Sequence, residues 1–340
     1  MACYKLTCFS AICCLSTLLT FASAGAPPKP PIAIANGVLR ATVPAAAHDL
    51  SGLEITSLAD GVHLQPGEPF ILILQSGQSI ASSRMRLREP FSVTPITAEP
   101  ASARHAATLA GSQLCANFEL PADVGTAHWC LISRDGTNYL RQELTLHATS
   151  QLAIAKVILF RFHAPGAATS GTVAGSPIVD ANFFLGFEHP LASNSVIDSN
   201  IECALQRVLP LESGQAITYS AVIGWSRPGQ MRRDFLAYIE QERAHPYRTF
   251  LHYNTWYDIG YGERYDQAAA LDRINAFGEE LVRKRHVVMD SLLFDDGWDN
   301  TSSLWKMDNG FPNGFTPVAQ AARKYGFGIG VWLSPWGGYS

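Results

Sequence analysis

Val287-Val288-Met289-Asp290-Ser291-Leu292-Leu293-Phe294-Asp295-Asp296-Gly297-Trp298 is an apolar run that ends in two adjacent carboxylates, a glycine and an indole. Its branched and aromatic residues predict a buried strand over 287–294. Consecutive strand residues point to opposite faces, so Asp295 and Asp296 can serve one ligand only if the strand ends before them. Gly297 makes that bend easy. Acids at the carboxyl end of a strand stand where β/α folds collect their reacting groups.

Strand and helix patterns alternate on both sides of this run. Residues 250–254 predict a strand, and 263–285 a helix with Ala268, Leu271, Ile274, Phe277, Leu281 and Val282 on its apolar side. Residues 315–325 predict a second helix and 327–333 a third strand. Such alternation implies parallel strands. Periodicity alone fits both a doubly wound sheet and a (β/α)8 barrel. Three strand ends are visible: Asn254-Thr255-Trp256-Tyr257-Asp258, Asp295-Asp296-Gly297-Trp298 and Ser334-Pro335-Trp336-Gly337-Gly338. Each carries a Trp, and two carry acids. An indole offers a flat apolar face to the C–H face of a sugar ring, and carboxylates are strong acceptors for hydroxyls. Asp258 and Glu263 are expected to cap the following helix. Asp290 is expected to be a satisfied acid within the strand, and His252 and His286 to be structural.

Upstream, Gln230 to Ala244 has helical spacing, with Met231, Phe235, Leu236 and Ile239 on one stripe and Arg232-Arg233 on a solvated face. Arg227-Pro228-Gly229 and His245-Pro246 bound it, so 227–246 reads as a linker helix between domains. Residues 31–226 are strand after strand. Strands over 32–35 and 38–43 flank Asn36-Gly37, and 53–58 and 62–64 flank Asp60-Gly61. A short strand is expected at 70–74. Strands over 128–133 and 139–147 flank Asp135-Gly136, and the runs 152–163 and 216–225 follow. Many short strands with turn signals predict a large antiparallel β-sandwich. Glu188 and His189, after the apolar run 183–187, are assigned to a sandwich loop, with the barrel rim as the alternative.

The N-terminus has the signature of a secretory signal: Lys5, an apolar stretch over 9–21, and Ala22-Ser23-Ala24 as cleavage site. This predicts a signal peptide over 1–24, a Pro-rich leader over 25–30, and a secreted or periplasmic protein. Four of the seven cysteines would leave with the signal. Cys115 and Cys130, symmetric about Pro121-Ala122-Asp123, could face each other across a hairpin as a disulfide or as two buried thiols. Cys203 is left over, and the spacing suggests no zinc site. The formal net charge of -4 suggests no nucleic-acid partner. After signal removal no stretch approaches the roughly 18 to 20 apolar residues of a membrane span.

Phe294-Asp295-Asp296-Gly297-Trp298, Trp305, Phe311-Pro312-Asn313-Gly314-Phe315 and the segment from Gly328 to Trp332 together resemble the barrel start of the α-galactosidases of glycoside hydrolase family 36, in clan D. They are similar, more loosely, to the melibiases of family 27. Asn254-Thr255-Trp256 resembles that family's first strand end. The resemblance is specific over roughly residues 250–335 and architectural over the sandwich. It implies an N-terminal β-supersandwich over 31–226 and the first part of a (β/α)8 TIM barrel over 247–340. It further implies that Asp295 and Asp296 bind the C4 and C6 hydroxyls of an α-galactosyl unit, that Trp256 and Trp298 wall the pocket, and that Trp305 shapes it. Trp336, with Ser334, is a further candidate lining residue.

The family is retaining, and its nucleophile and acid/base are expected beyond Ser340, so neither is assigned. Adjacent acids on one strand are placed to hold substrate. The third strand end lacks the Glu-Pro-Glu pattern of many family members, which leaves the glycone open. The expectation is hydrolysis of terminal α-galactosides, with an oligosaccharide or glycoconjugate as partner and no metal or organic cofactor. The alternatives are an α-N-acetylgalactosaminidase, an α-glucosidase, a transglycosylase, or a secreted carbohydrate-binding protein without turnover.

Overall fold

The computed structural model describes residues 1–2, 30–45, 47–261 and 263–335 of the chain. Nearly all of the expected signal and leader, and Trp336 to Gly338 of the third strand end, lie outside the described residues. Contacts divide the chain into two compact units, Met1–Pro246 and Tyr247–Ser340.

The first unit is built from antiparallel sheets of nine, five and four strands. Its longest strands are Gly125–Arg134, Tyr139–Ala148, Ile154–His163 and Ala216–Trp225, each near an expected run. Alternation along them sorts the side chains. Leu114, Ala116 and Phe118 on one strand and Ala127, Trp129 and Leu131 on its neighbour are buried in a core shared with Phe70 and with Leu72, Val157 and Leu159 of the five-stranded sheet. The Phe70 and Phe118 rings meet edge-on across that core at 5.8 Å. The Gln142 side chain reaches into it. The Gln142 amide donates to the carbonyls of Pro69 at 2.7 Å and Leu159 at 3.1 Å, so its burial is satisfied and it bridges the two sheets. Asn36, at the first hairpin turn, donates to the Tyr139 carbonyl at 2.8 Å and fastens the four-stranded sheet to the nine-stranded one. Gly111–Glu119 pairs with Gly125–Arg134 in a register that sets Cys115 opposite Cys130, and the two are joined as a disulfide. Phe183–Phe187, buried at every position, is itself a strand between Ile178–Asp180 and Ala216–Trp225.

The helix Met231–Glu242 belongs to this first unit. Its Tyr238, with Met231, Phe235 and Ile239, packs on Tyr139, Phe184 and Val222 of the nine-stranded sheet. Leu236 was expected on that stripe but is 54% exposed, and Tyr238 fills its place. The helix entry is pinned by Asp234, whose carboxylate accepts from the backbone N–H of Arg227 at 2.9 Å and from its guanidinium at 2.5 Å. These bonds hold the Asp234 carboxyl below its ordinary range, with the Arg227 side-chain bond the largest cause.

The second unit holds three parallel strands, His252–Asn254, Ser291–Phe294 and Gly328–Val331, side by side in chain order. The helix Gln267–Phe277 runs into a wider π turn over Gly278–Arg283. A Cβ on Gly278 would stand 2.4 Å from the Tyr325 ring, so this glycine admits the aromatic that follows the helix Thr316–Arg323. Asp266 caps the first helix, accepting from the Ala269 N–H at 2.8 Å. The expected caps act elsewhere. Asp258 accepts from the Tyr253 hydroxyl and from Arg273, and Glu263 lies outside the helix. Asp290 sits just before its strand, paired with Arg248 at 2.5 Å and accepting from the Leu251 N–H at 2.8 Å. Among the described residues no helix is long and apolar enough to cross a membrane.

Candidate active site

The parallel register brings three strand ends to one level. Asn254 is opposite Leu293, Phe294 is opposite Val331, and the Trp332 N–H donates to the Phe294 carbonyl at 2.8 Å. Strand structure stops at Phe294, as the paired acids require. Gly297 has a φ of +111°, and a Cβ there would meet the Glu263 carbonyl at 2.9 Å and the Tyr265 ring at 3.1 Å. Only glycine allows this turn to lie so close to the loop that follows the first strand.

Asp295 is held from three sides. Its backbone N–H donates to the Thr255 hydroxyl at 2.8 Å. Its carboxylate accepts from the Asn254 amide at 2.9 Å and from the Asp296 N–H at 2.8 Å. Its carbonyl accepts from the Tyr265 hydroxyl at 2.7 Å. Burial pushes the Tyr265 phenol up, and the nearby charges of Asp295 and Asp296 add to that, so the hydroxyl stays a donor. Asp296 is half-buried, and its carboxylate has no hydrogen-bond donor among the described residues. One acid is thus oriented by the protein while its neighbour keeps its acceptor capacity.

The aromatics divide by depth. Trp256 is half-buried, with its ring 5.4 Å from Tyr261. Trp305 is 42% exposed, and its indole N–H donates to the Ser334 carbonyl at 2.8 Å. Its φ of +53° is unusual for a bulky residue, a conformation that persists only where the surroundings enforce it. Trp298 departs from the expected pocket wall. It is 3% exposed, packs on Phe315 at 5.2 Å and donates its N–H to the Trp332 carbonyl at 3.1 Å. Phe311 and Phe315 are also packing groups, gathered around Phe294.

Three participants had no assigned role in the sequence reading. Thr255 is fully buried and orients Asp295 from the first strand end. Tyr265 does so from the loop. Asp299 is 5% exposed near Asp296, and burial, followed by the charge of Asp296, pushes its carboxyl up. Only Thr255 could have been found by rule, as the residue between Asn254 and Trp256 at a strand end.

No protein-family model matches the chain, and no curated protein matches it in sequence. Solved structures match it in fold. The family 36 α-galactosidase AgaB from Geobacillus stearothermophilus superposes with a TM-score of 0.54 at 12% identity, over 90% of this chain and 55% of that one. A variant of the family 36 α-galactosidase AgaA from the same organism, in complex with stachyose, gives 0.54 at 12%, over 90% and 56%. The galactosidase domain of the α-galactosidase-sucrose kinase AgaSK gives 0.53 at 10%, over 89% and 56%. The chain therefore resembles family 36 α-galactosidases in fold and spans about half the length of those structures.

Proposed function

We propose that the second unit opens the (β/α)8 barrel of a retaining glycoside hydrolase, and that Asp295 and Asp296 hold a terminal α-galactosyl unit. The observation that carries this reading is the unequal pair itself. Asp295 is fixed by Asn254 and the Asp296 N–H, and the adjacent Asp296 keeps a carboxylate free of donors among the described residues, at the level where three parallel strands end. A fixed acceptor beside an open one suits two neighbouring hydroxyls, because charge-assisted hydrogen bonds are strong and directional. Trp256 and Trp305 supply aromatic faces at the rim. The likeness in fold to α-galactosidases, one of them in complex with stachyose, supports an oligosaccharide ligand.

Neither acid is assigned to bond breaking. Retaining hydrolysis needs a nucleophile and an acid/base about 5 Å apart on opposite sides of the scissile bond. Each Asp295 carboxylate oxygen accepts from one protein donor, which fixes the group as an acceptor and leaves a lone pair on each oxygen for a hydroxyl. The nucleophile and acid/base are left unassigned. The chain is read as exported, in keeping with its disulfide. The test is a panel of aryl α-galactosides, α-N-acetylgalactosaminides and α-glucosides offered to the protein with its barrel complete. Preferred release from the galactoside, lost in Asp296→Asn, supports the reading. A preferred glucoside, or a galactoside rate unchanged in Asp296→Asn, contradicts it.

A further inference from the structure

Cys115, His128 and Cys130 stand together on the outer face of the nine-stranded sheet, and one ligand atom from each lies within 4.8 Å of the others. The strands explain the grouping. Cys115 is directly opposite Cys130, and His128, two residues before Cys130, projects from the same face. His128 is itself opposite Asn117, and its Nδ1 lies 2.6 Å from the Asn117 carboxamide oxygen. That oxygen can only accept, so Nδ1 is the donor of this contact and Nε2 is the ring nitrogen left to face a metal. Nε2 is directed at the Cys130 sulfur, 3.1 Å away. A disulfide has no need of such a neighbour. A neutral imidazole oriented through its other nitrogen is what a metal-binding histidine requires.

We propose that Cys115, His128 and Cys130 form a redox-gated site for a thiophilic divalent cation such as Zn2+. In the oxidised chain the bond between the sulfurs closes the site. A dithiol reductant opens it: the protein S–S bond breaks, two electrons and two protons pass to Cys115 and Cys130, and the reductant is left as its own disulfide. Metal binding then releases the two thiol protons to solvent. Two thiolates and a neutral imidazole balance the dipositive charge. Zinc–sulfur bonds of about 2.3 Å in tetrahedral geometry set the sulfurs about 3.8 Å apart. Side-chain rotation about a pair whose Cα atoms are 4.2 Å apart can reach that spacing. The fourth position is left to water.

The probe is Co2+, whose bonds to thiolate absorb in the near ultraviolet. It is titrated into the 340-residue chain bearing Cys3→Ser, Cys8→Ser, Cys13→Ser, Cys14→Ser and Cys203→Ala, so that only the proposed sulfurs remain. The reduced chain should bind one Co2+ with thiolate absorption, and the oxidised chain none. Asn117→Ala, which frees the ring, should weaken binding roughly 10- to 100-fold, and His128→Ala at least as much. Near-ultraviolet circular dichroism follows the fold of the same samples. If reduction unfolds the chain, Zn2+ should restore it. The proposal fails if the reduced, folded chain binds no Co2+, if His128→Ala titrates like its parent, or if Zn2+ does not restore a chain unfolded by reduction.

Discussion

Gly297 and Asp299 flank Trp298 and make opposite demands on the strand-end turn. At Gly297 a side chain would be strained by a φ of +111° and pressed against the Glu263 carbonyl. Gly297→Ala should lower stability by about 1–3 kcal/mol in urea unfolding, and weaken sugar binding as well, because the turn carries Asp296. Asp299 is buried near a like charge, and its carboxyl is raised from the ordinary 3.8. The folded state therefore holds the proton more tightly than the unfolded chain. Its contribution is fully present below pH 3.8 and is lost as pH rises through the folded value. Asp299→Asn should match the parent in the most acidic unfolding series and become the more stable chain as pH rises. A variant less stable than the parent at neutral pH would show that Asp299 is paired in a way burial does not explain. The acid pair was legible in the sequence because an apolar run announces a strand and its end. The depth of Trp298 was not. Whether an indole just past a strand faces ligand or core depends on what packs beneath it, here Phe315 from a later segment.

At the scale of elements, periodicity located the four longest strands, since alternation over a half-buried sheet leaves a period-two trace, whereas Gly111–Glu119, Ser193–Ile197 and Asn200–Gln206 were not among the expected runs. Phe183–Phe187 lacks that trace because both its faces are covered. The helix Met231–Glu242 was located too, but its buried line was misjudged. Spacing alone allows Leu236, whereas packing chose Tyr238, whose hydroxyl reaches Glu188 at 2.6 Å while its ring meets Tyr139 at 5.0 Å. Hydrophobicity scales favour leucine, and the decision lay with a polar partner far away in sequence. Tyr238→Ala should destabilise the first unit by roughly 3–5 kcal/mol, and Leu236→Ala by about 0.5 kcal/mol or less. Thermal unfolding of the two variants distinguishes the assignments. Equal effects would return Leu236 to the buried stripe. The Arg227–Asp234 contact adds an acid-sensitive element. Asp234 is depressed in the folded state, so its contribution is present above pH 3.8 and lost as pH falls through the lower folded value. Asp234→Asn should flatten the acid limb of helix unfolding.

Across the whole molecule, a separate core in each unit is the dominant fact. One gathers Phe70, Phe118 and Trp129, and the other Phe294, Phe311 and Tyr265. Residues 244–250 between them are all exposed. Limited proteolysis should cut there before it opens either core, with mass spectrometry placing the first cleavage. A first cut inside the nine-stranded sheet would contradict the division. The change from a β-rich to an alternating pattern was visible near residue 227, ahead of the boundary at Pro246, because the helix between them packs on the sheet rather than bridging freely. The central claim concerns the acids at the strand ends, and calorimetric titration of galactose tests it most directly, with the parent compared with Asp295→Asn and Asp296→Asn. Loss of a charge-assisted hydrogen bond predicts affinity weakened on the order of 10- to 100-fold in each variant. Saturable galactose binding that is the same in all three chains would contradict the account.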